Sequence, residues 1–163
     1  MRVALQQARE AAESGEVPVG AVIAKGMTIA GRAHNQVELL RDPTAHAELI
    51  AITQAAACVG DWRLSGLTLY VTKEPCPMCA GAIMLARLSR VVFGVSDPRQ
   101  GGMSAFGILN DPRLNHSLEV QGGVVETECR ELLQAFFRKR RAEPADAKPK
   151  GGPDREGVAN EHA

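Results

Sequence analysis

Leu67-Thr68-Leu69-Tyr70-Val71-Thr72-Lys73-Glu74-Pro75-Cys76-Pro77-Met78-Cys79 is the stretch that settles the architecture. Its first six residues are rich in β-branched and aromatic side chains and read as a central strand. Pro75-Cys76-Pro77 then opens a helix expected to run to about Leu88, since a proline's fixed φ and missing N–H suit a first helical turn. Val91-Val92-Phe93-Gly94-Val95 follows as a second buried strand. Strand, helix and strand in that order point to an α/β layered sandwich whose sheet is parallel in this part.

Outward from that unit, residues Met1 to Glu13 favour a helix with Val3, Leu5, Ala8, Ala11 and Ala12 on one stripe, ended at Ser14-Gly15. Val19–Ala24 and Thr28–Gly31 read as a hairpin joined by Lys25-Gly26-Met27. Arg41-Asp42-Pro43-Thr44 ends in helix-entry chemistry, and the helix from Ala45 to about Cys58 is expected to bury Leu49, Ile50, Ile52 and Ala56. Residues 96–117 carry the breakers Gly101-Gly102, Gly107 and Asp111-Pro112 and read as loop. A short fifth strand at Ser117–Val120 and a last helix from Glu126 to about Arg141 complete the reading. The expected fold is a three-layer α/β/α sandwich around a five-stranded mixed sheet. It occupies residues 1–141, and the Pro/Gly/charge-rich remainder, 142–163, is expected to be disordered.

Composition narrows the class. With 163 residues, of which 45% are apolar, the chain supports one domain with one real core. Charges balance at 19 Lys+Arg against 19 Asp+Glu, which argues against a wholly basic nucleic-acid surface and leaves room for a local basic patch. No stretch reaches the 18 or so consecutive apolar residues of a membrane span, and no signal-peptide core precedes the first helix, so a cytoplasmic protein is expected. Four cysteines are too few for a disulfide scaffold, and two stand three residues apart.

His46, Cys76 and Cys79 have the character of zinc ligands. The two thiols lie one helical turn apart and can face a single ion. His46 and the cysteine pair each start an expected helix, so two positive helix ends aim at one place and favour thiolate. Three protein ligands leave a position open, the mark of a catalytic site, where a bound water can reach a pKa of about 7. Glu48, two residues after His46, is placed as a general acid/base. The competing reading is a structural zinc completed by Cys58, Cys129, His34 or His116, although Cys58 and Cys129 read better as small buried hydrophobes. His116 reads as a loop-ordering hydrogen-bond group.

His46-Ala47-Glu48, then 26 residues, then Pro75-Cys76-Pro77-Met78-Cys79 matches a known signature, H-x-E…P-C-x-x-C, of zinc-dependent base deaminases. The chain resembles the bacterial tRNA-specific adenosine deaminases (the TadA family) almost continuously from Met1 to about Arg141. Val17-Pro18-Val19-Gly20-Ala21-Val22, Asp42-Pro43-Thr44-Ala45-His46-Ala47-Glu48, Thr68–Thr72, Glu74-Pro75-Cys76, Met78-Cys79-Ala80-Gly81-Ala82, Arg90–Gly94, Asn115-His116 and Phe136-Phe137-Arg138 carry the resemblance. The H-A-E and P-C-x-x-C elements are common to all cytidine-deaminase-like enzymes, whereas D-P-T-A-H-A-E and the F-F-R-basic ending point to the tRNA enzymes.

The resemblance implies a cytidine-deaminase-like fold and hydrolytic conversion of adenosine to inosine at the wobble position of a tRNA anticodon. It implies one Zn2+ per subunit, activating the water that attacks C6 of the extruded adenine. Glu48 would protonate N1 and then the departing ammonia, Asn35 would hold the purine, and Asp97 would lie near the substrate backbone. Ala47 and Pro75 belong to the same substrate-binding motifs. A homodimer with a tRNA anticodon stem-loop as partner, and no membrane, completes the expectation. The alternative is a deaminase of free guanine, cytosine or cytidine that uses the same zinc residues.

Three departures accompany the resemblance. The family's first helix usually begins several residues before the place where Met1 falls. Lys73 stands where an apolar residue is usual, and residues 98–114 fit the family loop only with a one-residue gap. The sole basic cluster, Arg138-Lys139-Arg140-Arg141, suits the negative end of a helix dipole and, in the RNA reading, contacts phosphates. Aromatic content of 4% gives little stacking surface, so recognition would rest on a pocket for one extruded base and on RNA shape.

Overall fold

The computed structural model describes residues 1–142. Helix α1 (Arg2–Glu13) leads into a hairpin of β1 (Gly20–Lys25) and β2 (Thr28–His34). A one-turn helix α2 (Val37–Leu40) precedes α3 (Ala47–Val59), β3 (Thr68–Lys73), α4 (Pro77–Leu85) and β4 (Arg90–Val95). A short β5 (Glu119–Gln121) and helix α5 (Glu126–Ala142) close the chain described. The five strands form one sheet in the order β2-β1-β3-β4-β5, with β1 antiparallel to both neighbours and β3, β4 and β5 parallel. The expected mixed α/β sandwich is the observed one. The expected tail lies outside the described residues, apart from Ala142, which ends α5.

Strand alternation distributes the core between two helical layers. Ala21 and Ile23, Leu69 and Val71, and Val91 and Phe93 face the layer of α3 and α4, where Ala51, Ala55, Ala80 and Ile83 meet them. On the other side, Leu5 of α1 and Cys129 and Leu133 of α5 form a smaller cluster with Val95. Close approach is bought with glycine at two places. A Cβ on Gly31 would lie 2.5 Å from the Ala51 carbonyl of α3, and one on Gly94 would lie 2.7 Å from Cys129 Sγ of α5.

The tight seat of α3 explains one departure from the sequence reading. Its fully buried stripe is Ala47, Ala51 and Ala55, while Leu49, Ile50, Ile52 and Ala56 are only half-buried. A helix lying that near the sheet has room for methyl groups and not for larger side chains. Cys58, expected in the core, is exposed on the last turn of α3, whereas Cys129 is buried as expected. Helix α4 stops three residues early because Arg87 takes a left-handed conformation (φ 59°), and the chain turns so that Leu88 enters the core.

Candidate active site

His46 and Cys76 are the residues that cap α3 and α4, both in extended backbone conformation, and Cys79 lies in the first turn of α4. The entry to α3 is shaped by Asp42, whose Oδ1 accepts from the Thr44 amide at 2.8 Å and its hydroxyl at 2.7 Å. Gln36 N donates to the Ala45 carbonyl at 3.0 Å and ties the same turn to the segment that precedes α2. Pro77 at the first position of α4 preorganises the cysteine turn.

These entries bring His46 Nδ1 to 3.6 Å from Cys76 Sγ and 3.4 Å from Cys79 Sγ. One ligand atom of each residue lies within 4.8 Å of the others, and among the described residues no further His, Cys or carboxylate joins the group. A tetrahedral ion with zinc–sulfur and zinc–nitrogen bond lengths requires sulfur–nitrogen edges of about 3.5 Å, so the donor set fits zinc and leaves its fourth position open. His116 instead shares a 2.7 Å hydrogen bond with the Leu88 carbonyl, and orders its loop as expected.

The electrostatics are those of a shared proton. The Cys79 thiol donates to Cys76, which with His46 holds the Cys76 thiol down at about 4 against the cost of burial. Cys79 is pushed up by that same hydrogen bond, by burial and by nearby Glu48. The hydrogen bond to Cys76 raises His46. Glu48, in the first turn of α3 and 4% exposed, is pushed up by desolvation. A carboxyl in that condition parts with a proton less readily than a solvated one, as suits a general acid/base.

A cavity of about 470 Å³ opens over this group, and His46, Glu48, Cys76, Asn35 and Asp97 all line it. Asn35 is buried opposite the cysteine turn, with its amide N–H on the Val19 carbonyl at 3.0 Å and its side-chain nitrogen on Glu16 Oε2 at 3.1 Å. Ala47 and Pro75 do not line the cavity. The Ala47 side chain points into the core, and the Pro75 carbonyl accepts from Gly102 N at 2.7 Å. Of the basic cluster, Arg140 reaches the cavity beside Phe136 and Phe137. Arg138 and Arg141 lie with Arg99 around an adjoining depression, and Lys139 belongs to neither.

Two carboxylates were given no role by the sequence: Glu16, and Glu74, which stands only as part of the family-like Glu74-Pro75-Cys76. Glu16 is buried and bridges Asn35 to the Leu39 amide, which it accepts at 2.8 Å. Glu74, also buried, gathers the amides of Asp97 (2.7 Å), Met103 (3.1 Å) and Ser104 (2.8 Å) and the Ser104 hydroxyl (2.5 Å). Burial would raise its carboxyl, but the bonds from Ser104, Asp97 and Met103 outweigh that and hold it below the usual range. Gly101 is obligatory here, since a Cβ on it would sit 2.2 Å from Glu74 Oε1. The signal for Glu74 was its place between a strand and the cysteine turn. Glu16, between a helix end and a strand, reads as a solvated loop residue.

Comparison with known proteins agrees with this geometry. Residues 1–141 match the family model of the MafB19-like deaminases. The chain is 50% identical over 143 residues to the tRNA-specific adenosine deaminase of Bacillus subtilis, covering 86% of this chain and 88% of the relative. Identity to the Aquifex aeolicus enzyme of the same name is 48% over 142 residues, covering 86% and 93%. A solved structure from work on A-to-I editing by tRNA:A34 deaminases superposes with a TM-score of 0.78 at 42% identity, over 82% of this chain and 97% of that one. Fold, site and relatedness together make the chain a member of the tRNA-specific adenosine deaminase family.

Proposed function

We propose that the protein converts adenosine to inosine by hydrolysis at the wobble position of a tRNA anticodon, as a zinc enzyme with one ion per subunit. The observation that carries this reading is the meeting of His46, Cys76 and Cys79 with buried Glu48 and Asn35 in one cavity. What zinc supplies when bound there is Lewis acidity, enough to make hydroxide available from water near neutral pH.

The protein's own groups do the rest. Glu48 takes the proton released from water and delivers it to adenine N1; it then takes the proton of the new C6 hydroxyl and passes it to the exocyclic nitrogen as the C6–N bond breaks. Water and adenosine are consumed, and inosine and ammonia leave. Asn35, anchored by Glu16, fixes the purine plane against the cavity wall. Arg140 at the mouth and Arg138 and Arg141 beside it offer cations to the phosphates of the anticodon loop. Lys139 belongs to the same basic helix end and would add to its field.

The family relationship supports residues 1–141 as the deaminase domain, a homodimer in solution and a cytoplasmic site of action, where tRNA is the partner. No helix among the described residues is long and apolar enough to cross a membrane.

The test offers the zinc-loaded protein an anticodon stem-loop containing adenosine alongside free adenine, guanine, cytosine and cytidine. Inosine formed only in the stem-loop supports the proposal, and turnover confined to a free base overturns it. Glu48→Ala should abolish deamination while zinc content and fold persist. Sedimentation then reports the dimer.

A further inference from the structure

We propose that Lys73 is a specificity-determining residue of this chain, its ammonium held at the cavity mouth by Asp97 to receive the phosphate flanking the nucleotide in the site. The inference rests on the reading of the substrate as an anticodon loop.

Backbone register creates the pair. Lys73 ends β3 opposite Val95 of the parallel strand β4, so Lys73 and Asp97 leave the sheet side by side. Their side chains meet at 2.5 Å, Nζ to Oδ2, with 29% and 16% of their surfaces exposed. Both line the cavity with His46 and Cys76, and Lys73 precedes Cys76 by three residues. It is therefore a cation beside the reacting nucleotide rather than out along the stem.

Asp97 meanwhile accepts three hydrogen bonds from the protein. Its Oδ1 accepts the amides of Arg99 and Gln100, both at 3.1 Å, and Oδ2 takes Lys73. It is a counter-ion and loop anchor here, with little accepting capacity left for a sugar hydroxyl. An ammonium carries three N–H donors, and Asp97 uses one, which leaves two for a ligand at a partly open position.

The charge of the cavity gives the pair its weight. Glu16, Glu38, Glu48, Glu74 and Asp97 line it, against Arg99 and Arg140 as its other permanent cations. Without Lys73, Asp97 would lose its ion-pair partner where a polyanion must enter, and the balance of charge at that point would turn against entry. An apolar side chain at position 73 would make neither the ion pair nor the phosphate contact.

The experiment uses the zinc-loaded full chain and an adenosine-containing anticodon stem-loop. Lys73→Met should raise KM about five- to tenfold, with the loss carried by KM rather than kcat. On a Glu48→Ala background, its stem-loop Kd should depend less steeply on salt, the log–log slope falling by about one. Lys73→Arg should retain most of the affinity, and Lys73→Met combined with Asp97→Asn should recover part of it by removing the unpaired charge. Unchanged KM and salt slope in Lys73→Met would overturn the proposal, as would a loss confined to kcat or accompanied by lost zinc. If the wild-type protein forms no inosine in the stem-loop, the functional reading has failed first and this proposal falls with it.

Discussion

Glu16 and Asn35 form a buried hydrogen-bonded pair, 3.1 Å between Oε2 and Nδ2, with 1% and 6% of the two residues exposed. A carboxylate accepts from an N–H, so the pair fixes which way the Asn35 amide faces, with its nitrogen toward Glu16. The other oxygen of Glu16 holds the Leu39 amide of α2, which makes Asn35 part of a braced wall.

Glu16→Gln removes the charge and sets one amide donor against another donor at either Asn35 or Leu39. A hydrogen bond to a charged group is worth about 1.5–3 kcal/mol, so kcat/KM on the stem-loop should fall roughly 10- to 100-fold. Zinc content measured on the same sample should be unchanged. Full activity in this variant would show that Asn35 needs no brace.

Cysteine reactivity after metal removal should single out Cys76. Its thiol is held down at about 4 by the Cys79 hydrogen bond and by His46, while Cys79 is pushed up and Cys129 is raised by burial to about 11. Thiolate is the nucleophile in alkylation. Brief iodoacetamide treatment of chelated protein at neutral pH, read by peptide mass spectrometry, should therefore label Cys76 and exposed Cys58 and spare Cys79 and Cys129. Zinc added beforehand should protect Cys76 and leave Cys58 labelled.

Two glycine substitutions should move stability in opposite directions. A Cβ on Gly94 would meet the Thr72 carbonyl at 2.5 Å and Cys129 Sγ at 2.7 Å, so Gly94→Ala should cost about 1–3 kcal/mol. Gly81, inside α4 with nothing within 4 Å of its added Cβ, should gain about 0.5–1 kcal/mol as alanine. Urea unfolding midpoints report both. An unchanged midpoint for Gly94→Ala would mean that α5 does not seat against β4 as closely as described.

Acid should release the 97–104 segment before the rest of the fold. Asp97 is lowered chiefly by Lys73, and Glu74 by its bonds from Ser104, Asp97 and Met103 against the cost of burial. Groups with depressed folded values contribute stability that is complete above the ordinary carboxylate range, about 4, and lost as pH falls through the lowered values. Hydrogen exchange of the amides of Met103 and Ser104 should be protected near pH 6 and lose protection relative to the β3–β4 core below about pH 4. Equal loss in both places would remove Glu74 as the organiser of the segment.

Strand, crossover helix and strand at 67–95 were legible because alternation, proline position and β-branching all agree there. The ligand triad was legible because its chemistry is carried by residue type and short spacing. The buried carboxylates were not. Glu16 and Glu74 are made functional by partners 19–30 residues away, and no local period reports such distances. Helix α2 has four residues and no buried side chain, too little for a pattern. The alanine stripe of α3 was hidden behind larger neighbours, since side-chain size suggested Leu49 and Ile52 and the close seat on Gly31 selected the opposite.

The division of labour between elements has a consequence for how such a protein changes over generations. His46, Glu48, Cys76 and Cys79 are rooted at the starts of α3 and α4, packed against the sheet. The groups that face the incoming nucleotide sit on separate pieces: the turn at Asn35, the segment led by Asp97, the end of β3 and the last turns of α5. Each of these can drift alone. Exchange of one residue such as Lys73 can therefore redirect what is admitted while the machinery for removing an amino group is inherited intact.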